Sequence, residues 1–336
     1  MAIVTPGVVP ASELLATPPS PWLEGWAGFA AKARYADLPA DVAARTRLAL
    51  LDCIGAIAAG AQEAEVGTLA TRMIAREGAG DSPVIGLAAS ARPGTAAFIN
   101  GTAGTTLELD EGNQYARGHP AIHVVPALLA APRGDGAALL VALALGYELG
   151  SRVGIASKLN VATHPHGTWG TLGAAMGVAK THGAGADEMR AVINIASTLG
   201  LATSRRTMLE GGTVRNTYCG VSNMLGLTAW DLVRAGFEGE RDGVATIFGH
   251  VAGSDFKPEE MTRDLGTRWE IARNYFKRHA ACRYTHGALD AMAAILARTG
   301  ALAPDAVRRI EVDTYVWAAQ LDSPAAPNML AAKFSI

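Results

Sequence analysis

The sequence predicts a mainly α protein, with a large all-helical domain over residues 1–268 and the start of a smaller α/β domain over residues 269–336. Three observations carry this. From Trp22 to Trp269, Ala- and Leu-rich runs of roughly 12 to 20 residues hold few β-branched or aromatic side chains, which favours helix over strand. Clusters of chain breakers separate the runs, namely Gly78-Ala79-Gly80-Asp81, Arg133-Gly134-Asp135-Gly136 and Gly183-Ala184-Gly185-Ala186-Asp187. Beyond Trp269 the period changes: Arg308-Arg309-Ile310-Glu311-Val312-Asp313-Thr314-Tyr315-Val316 alternates polar and apolar with period two, the pattern of a half-buried strand.

Taken in order, Leu48 to Gly60 and Ala121 to Ala131 read as apolar helical segments. Gly170-Thr171-Leu172-Gly173-Ala174-Ala175-Met176-Gly177 reads as a helix despite its glycines. Each interior Gly costs about 1 kcal/mol against Ala, a cost tolerated where backbones must approach closely, so this helix is expected at the centre. Thr285 to Arg298 reads as a helix of the second unit, and Asn328 to Ile336 as the opening of another, without an exit signal.

With 336 residues, 49% hydrophobic and 18% charged, the chain can bury a large core. A net charge of −2 supplies no global basic field, so nucleic acid and anionic membrane surfaces are poor partners. Cys53, Cys219 and Cys282 lie far apart, with no C-x-x-C pair or metal-finger spacing, which fits a reducing compartment and small buried thiols. Iron-sulfur ligation needs several positioned thiolates, and no such motif is present. Met1 to Pro21 lacks the basic start and apolar core of a signal peptide, and the apolar stretch Gly136 to Tyr147 is about half a membrane span. Gly183-Ala184-Gly185 lacks the third glycine and preceding strand of a dinucleotide site. The expectation is a soluble, cytoplasmic protein that uses no cofactor and no metal.

Chemistry concentrates in one segment. Asn100-Gly101-Thr102-Ala103 leads through Glu108-Leu109-Asp110-Glu111 to His119-Pro120, so that three carboxylates and an imidazole fall within a stretch otherwise small or apolar. An apolar helical segment follows directly, which points to a pocket rather than to a solvated acidic patch. Two later segments share the same mixture of groups: Thr163-His164-Pro165-His166-Gly167-Thr168-Trp169-Gly170, and Lys277-Arg278-His279-Ala280-Ala281-Cys282-Arg283-Tyr284-Thr285-His286.

Together with Asn100-Gly101 and the Leu48 to Gly60 segment, these motifs resemble the MmgE/PrpD family, which includes 2-methylcitrate dehydratases, cis-aconitate decarboxylases and iminodisuccinate epimerases. The resemblance runs from about residue 20 to the last residue. It implies cofactor-independent removal of a proton, water or carbon dioxide next to a carboxylate, on a di- or tricarboxylate substrate, in a homodimer that pairs through the helical domain. The family's small domain continues beyond a similar Lys-Phe-Ser segment, so a truncated chain is expected.

Such chemistry needs a base, an acid for the leaving hydroxyl and cations for the carboxylates. By resemblance, Asp110 and Glu111 match the family's paired acids, Glu108 an earlier acid and His119 its histidine. His164 matches the histidine of the His-Pro-x-Gly-Thr motif, while Lys277 and His286 match the ends of the Lys-x(8)-His segment. Asp110, His119, His164 and Lys277 are the expected catalytic residues. Either histidine is the base, with Asp110 orienting it, and Lys277 is an acid or an anion anchor. Glu111, Arg215 and His286 are expected at the substrate, Arg215 as a bidentate carboxylate clamp where decarboxylases carry lysine. His166 is expected to be structural or at the pocket rim, and His123 matches no catalytic position. Gly112, where decarboxylases carry Thr, argues against strict decarboxylation. The leading expectation is a dehydratase of the 2-methylcitrate type, with epimerase and decarboxylase as close alternatives and a non-catalytic oligomerisation module as the contrasting class.

Overall fold

The computed structural model describes residues 9–16, 18 and 20–336. Helix dominates. The longer helices are α1 (Pro21–Lys32), α2 (Ala40–Gly60), α3 (Ala64–Glu77), α4 (Pro93–Thr106), α5 (Gly136–Ala156), α6 (Gly170–Thr181), α7 (Ala186–Thr198), α8 (Thr217–Arg234) and α9 (His286–Thr299). Their ends follow local chemistry. Pro21 and Pro93 open α1 and α4, where a missing N–H costs nothing. The Asp135 side chain caps α5 by accepting from Ala138 N–H, and Gly78 leaves α3 with φ 90°.

The centre is a stack in which α4 packs on α8 and α2, α8 on α6, and α6 on α5. Small residues permit it. A Cβ on Gly101 of α4 would lie 2.7 Å from the Gly220 Cα of α8, and one on Gly173 of α6 would lie 2.8 Å from the Gly146 carbonyl of α5. Residues 170–179 of α6 are all buried, as the glycine-rich sequence predicts for a central helix. Gly101→Ala should therefore force α4 and α8 apart and destabilise the fold by about 1–3 kcal/mol, the usual cost of overpacking. A denaturant midpoint equal to wild type would show that the two helices separate without penalty.

Asn100 is explained by structure alone. Its side chain accepts from Ile85 N–H and donates to the Pro83 carbonyl, tying α4 to a small hairpin of Ser82–Val84 and Ala89–Ala91. A second short pair, Ser157–Leu159 with Gly253–Phe256, closes the far end of α5. Helix α5 extends well past Tyr147 and is long and apolar enough to cross a membrane, but it lies mostly buried within the stack and carries the buried ion pair Glu148–Arg152.

The second unit departs from expectation in one element. Helix α9 forms as predicted, and Asn328 caps a short helix, Met329–Ala332, by accepting from Ala331 N–H. The strand expected over Arg308–Val316 does not form. That segment has no sheet partner among the described residues, and Ile310 and Val312 are 63% and 43% exposed. Alternation records which face a residue prefers, whereas a strand exists only where a neighbour completes its hydrogen bonds.

Candidate active site

The acidic segment is the loop that leaves α4. Glu108 adopts φ 55° and Arg117 φ 57°, left-handed conformations that non-glycine residues rarely hold and that collect at functional sites. Bridges Gly112↔Tyr275 and Asn113↔Gly118 pin the loop, and the Asn113 side chain accepts from Tyr115 and Ala116 N–H. A Cβ on Gly112 would overlap the Tyr275 hydroxyl, so a larger residue here would have to displace that side chain.

This folding brings together side chains spread over half the chain. The Glu108 carboxylate is buried between Arg215 and Lys277: Arg215 Nη1 contacts Oε1, and Lys277 Nζ lies 3.1 Å from Oε2. Burial works to raise the Glu108 pKa, but Arg215 and Lys277 outweigh it and keep the group ionised. Lys277 also lies 3.7 Å from Asp110, whose carboxyl is pushed up to about 6, first by burial. His119 Nδ1 lies 2.6 Å from the Glu111 carbonyl and 3.4 Å from Asp110 Oδ2. A carbonyl only accepts, so Nδ1 carries the proton and Nε2 keeps its lone pair. Burial and then Lys277 push the His119 pKa down to about 3, which keeps the ring neutral.

His164 has the opposite tautomer. Its Nδ1 accepts from His166 N–H at 3.1 Å, so its proton sits on Nε2. The two histidines on the pocket wall thus present complementary groups, an acceptor and a donor.

His119, His164 and Arg215 line a cavity of about 410 Å³, whose rim adds Arg117, Lys158, Arg205 and Arg283. Glu108 is the one carboxylate in the lining, so the cavity suits anions. Asp110 and Lys277 stand behind this wall, and the Lys277 side chain is fully buried on Glu108. Arg215 is likewise buried, not a solvated loop residue.

Two residues expected at the substrate lie elsewhere. Glu111 accepts from Ala121 N–H, Tyr147 Oη and Asn274 Nδ2, which places it in the support beneath the loop. His286 Nε2 meets the Ala281 carbonyl at 3.2 Å at the start of α9, outside the lining. Conversely, sequence reasoning undervalued His166, which stacks on His119 with centroids 4.5 Å apart, and His123, which meets His166. The pairing of Glu108 with Arg215 and Lys277 carries no short-range signal, because these partners lie at least about 100 residues away.

Residues 24–257 match the MmgE/PrpD N-terminal domain. Cis-aconitate decarboxylase-like protein oryM of Aspergillus oryzae is 30% identical over 279 residues, covering 76% of this chain and 58% of that protein. Cis-aconitate decarboxylase of Aspergillus terreus is 28% identical over 277 residues, covering 76% of this chain and 56% of its own. The chain therefore spans a little over half the length of the curated relatives it matches. With the domain match extending over the helical stack, the acidic loop and the segments that carry His164 and Arg215, the chain belongs to the MmgE/PrpD family.

Proposed function

We propose that this chain carries the proton-abstracting site of a lyase that removes water from a hydroxy-polycarboxylate of the 2-methylcitrate type. One observation carries the reading: an unprotonated His119 Nε2 and a protonated His164 Nε2 belong to the wall of one cation-rimmed cavity. His119 takes the proton from the carbon next to a carboxylate. The developing negative charge is held by the rim guanidinium groups, and the carbon–oxygen bond breaks as His164 Nε2–H protonates the departing hydroxide, giving water and an alkene; the proton held by His119 then returns to His164 Nε2 and restores both neutral rings. Asp110, beside His119 Nδ1, steadies the imidazolium that forms. Glu108 and Lys277 are positioning residues that fix Arg215 and Asp110.

The names of the relatives favour a second reading, decarboxylation of a cis-aconitate-type acid. Gly112 and the Tyr275 hydroxyl against it weigh toward dehydration, since the Thr of decarboxylases would have to displace that hydroxyl.

The purified chain, incubated with 2-methylcitrate, should produce a conjugated unsaturated acid followed by its ultraviolet absorbance. Carbon dioxide release from cis-aconitate with no dehydration would replace this reading by the second. Arg215→Ala should raise KM more than it lowers kcat, because a guanidinium beside the substrate grips carboxylates before the reaction as well as during it. An unchanged KM would remove Arg215 from substrate binding. The substrate-bound protein is proposed to be a homodimer, which light scattering at micromolar concentration checks.

A further inference from the structure

Beside His119 three ligand-type atoms converge, one of them on His166, which lines the cavity. His123 Nε2 lies 3.2 Å from His166 Nδ1, His166 Nδ1 lies 3.2 Å from Cys219 Sγ, and Cys219 Sγ lies 3.3 Å from His123 Nε2. All three residues are buried, the most exposed at 3%.

Hydrogen bonding satisfies at most two sides of this triangle at once, as when one ring N–H donates to sulfur and the thiol donates to the other nitrogen. A ring nitrogen has one in-plane site, filled either by a proton or by a lone pair, yet each nitrogen here takes part in two contacts. If one nitrogen donates to the other, the thiol must share a site already used. If both carry protons toward sulfur, the two nitrogens face each other as donors. No assignment of protons gives each contact its own hydrogen bond. The outer nitrogens, His123 Nδ1 and His166 Nε2, have no hydrogen-bond partner among the described residues, so no outside hydrogen bond fixes either tautomer.

One positive centre resolves all three contacts, because it accepts two lone pairs and a thiolate at once. A tetrahedral ion with Zn–N near 2.0–2.1 Å and Zn–S near 2.3 Å spaces its ligand atoms about 3.3–3.6 Å apart, within a few tenths of the separations found. Two imidazoles and a thiolate form a borderline-soft donor set that suits zinc over magnesium or calcium. The neighbouring trio Asp110, His119 and His166 also clusters, but His119 Nδ1 is already committed to the Glu111 carbonyl.

We propose that His123, His166 and Cys219 bind a divalent zinc-class ion that clamps the active-site segments together. Each ligand sits within four residues of a side chain on the cavity wall: His123 follows His119, His166 follows His164, and Cys219 follows Arg215. The ion thereby ties a short 3₁₀ turn, a loop and the first turn of α8. This assignment replaces the sequence expectation of no metal, whose basis was spacing along the chain, and it stands independently of which reaction the cavity performs.

The test uses the intact chain, freed of metal with a chelator during unfolding and refolding, then titrated with Zn²⁺ or Co²⁺. The expected result is one ion bound per chain, a higher melting temperature with Zn²⁺, and with Co²⁺ a near-ultraviolet thiolate-to-cobalt band. Cys282→Ser should keep that band, and both Cys219→Ser and His123→Gln should lose it. Wild-type protein that binds well under one ion per chain and shows no band overturns the proposal, whether or not the variants fold. A band that survives Cys219→Ser overturns it equally.

Discussion

His119→Ala lowers turnover by about 10²- to 10⁴-fold, the usual contribution of a positioned general base, and leaves KM within a small factor of wild type. The expectation rests on tautomer rather than on motif. The Glu111 carbonyl at 2.6 Å fixes the His119 proton on Nδ1, which leaves Nε2 unprotonated on a ring that lines the cavity. His164 is bound the other way, with Nδ1 accepting from His166 N–H, so its alanine variant should mainly impair departure of the hydroxyl. Steady-state kinetics on the two variants, with a substrate whose leaving group needs no proton, separates the roles. That substrate should rescue His164→Ala and not His119→Ala, and the reverse pattern would exchange acid and base.

Arg152→Ala destabilises the protein by about 3–5 kcal/mol, the cost of leaving one partner of a buried ion pair alone. Arg152 is fully buried on α5. Its Nε meets Glu148 at 2.6 Å, Nη1 donates to the Glu260, Met261 and Arg263 carbonyls, and Nη2 donates to the Arg268 carbonyl. Glu148 in turn accepts from Glu270 N–H at 2.6 Å, and burial pushes its pKa up to about 7 even with Arg152 beside it. Removing the guanidinium takes the Arg152 donor from the Glu260, Arg263 and Arg268 carbonyls and the counter-charge from Glu148, while Met261 keeps Trp26 Nε1, and it frees the segment that leads to Tyr275 and Lys277. Equilibrium unfolding in urea measures the loss. A shift under about 0.5 kcal/mol, the size of an ordinary surface change, would show that water replaces the guanidinium. Pairing Arg152→Met with Glu148→Leu should recover much of the stability, because no lone charge then remains.

The sequence by itself determined the helical class, the centrality of α6 and the loop from Glu108 to His119 as the seat of chemistry. These follow from composition, from glycine placed inside helices and from charges set among apolar neighbours, all of which act within a few turns of chain. It also drew His119, His164, Arg215 and Lys277 into one hypothesis by resemblance. Only the tertiary structure decided what each group meets. Glu111 resembles Asp110 in sequence, yet Tyr147 and Asn274 draw it into the supporting layer. Arg308 to Val316 alternates like a strand, yet no neighbour among the described residues supplies the hydrogen bonds. His119 and His164 are chemically identical until a carbonyl and an amide, each placed by the fold, set opposite tautomers. The His123, His166 and Cys219 triangle joins residues 43 to 96 positions apart, a separation at which no local spacing rule operates and only packing brings ligand atoms within 3.3 Å.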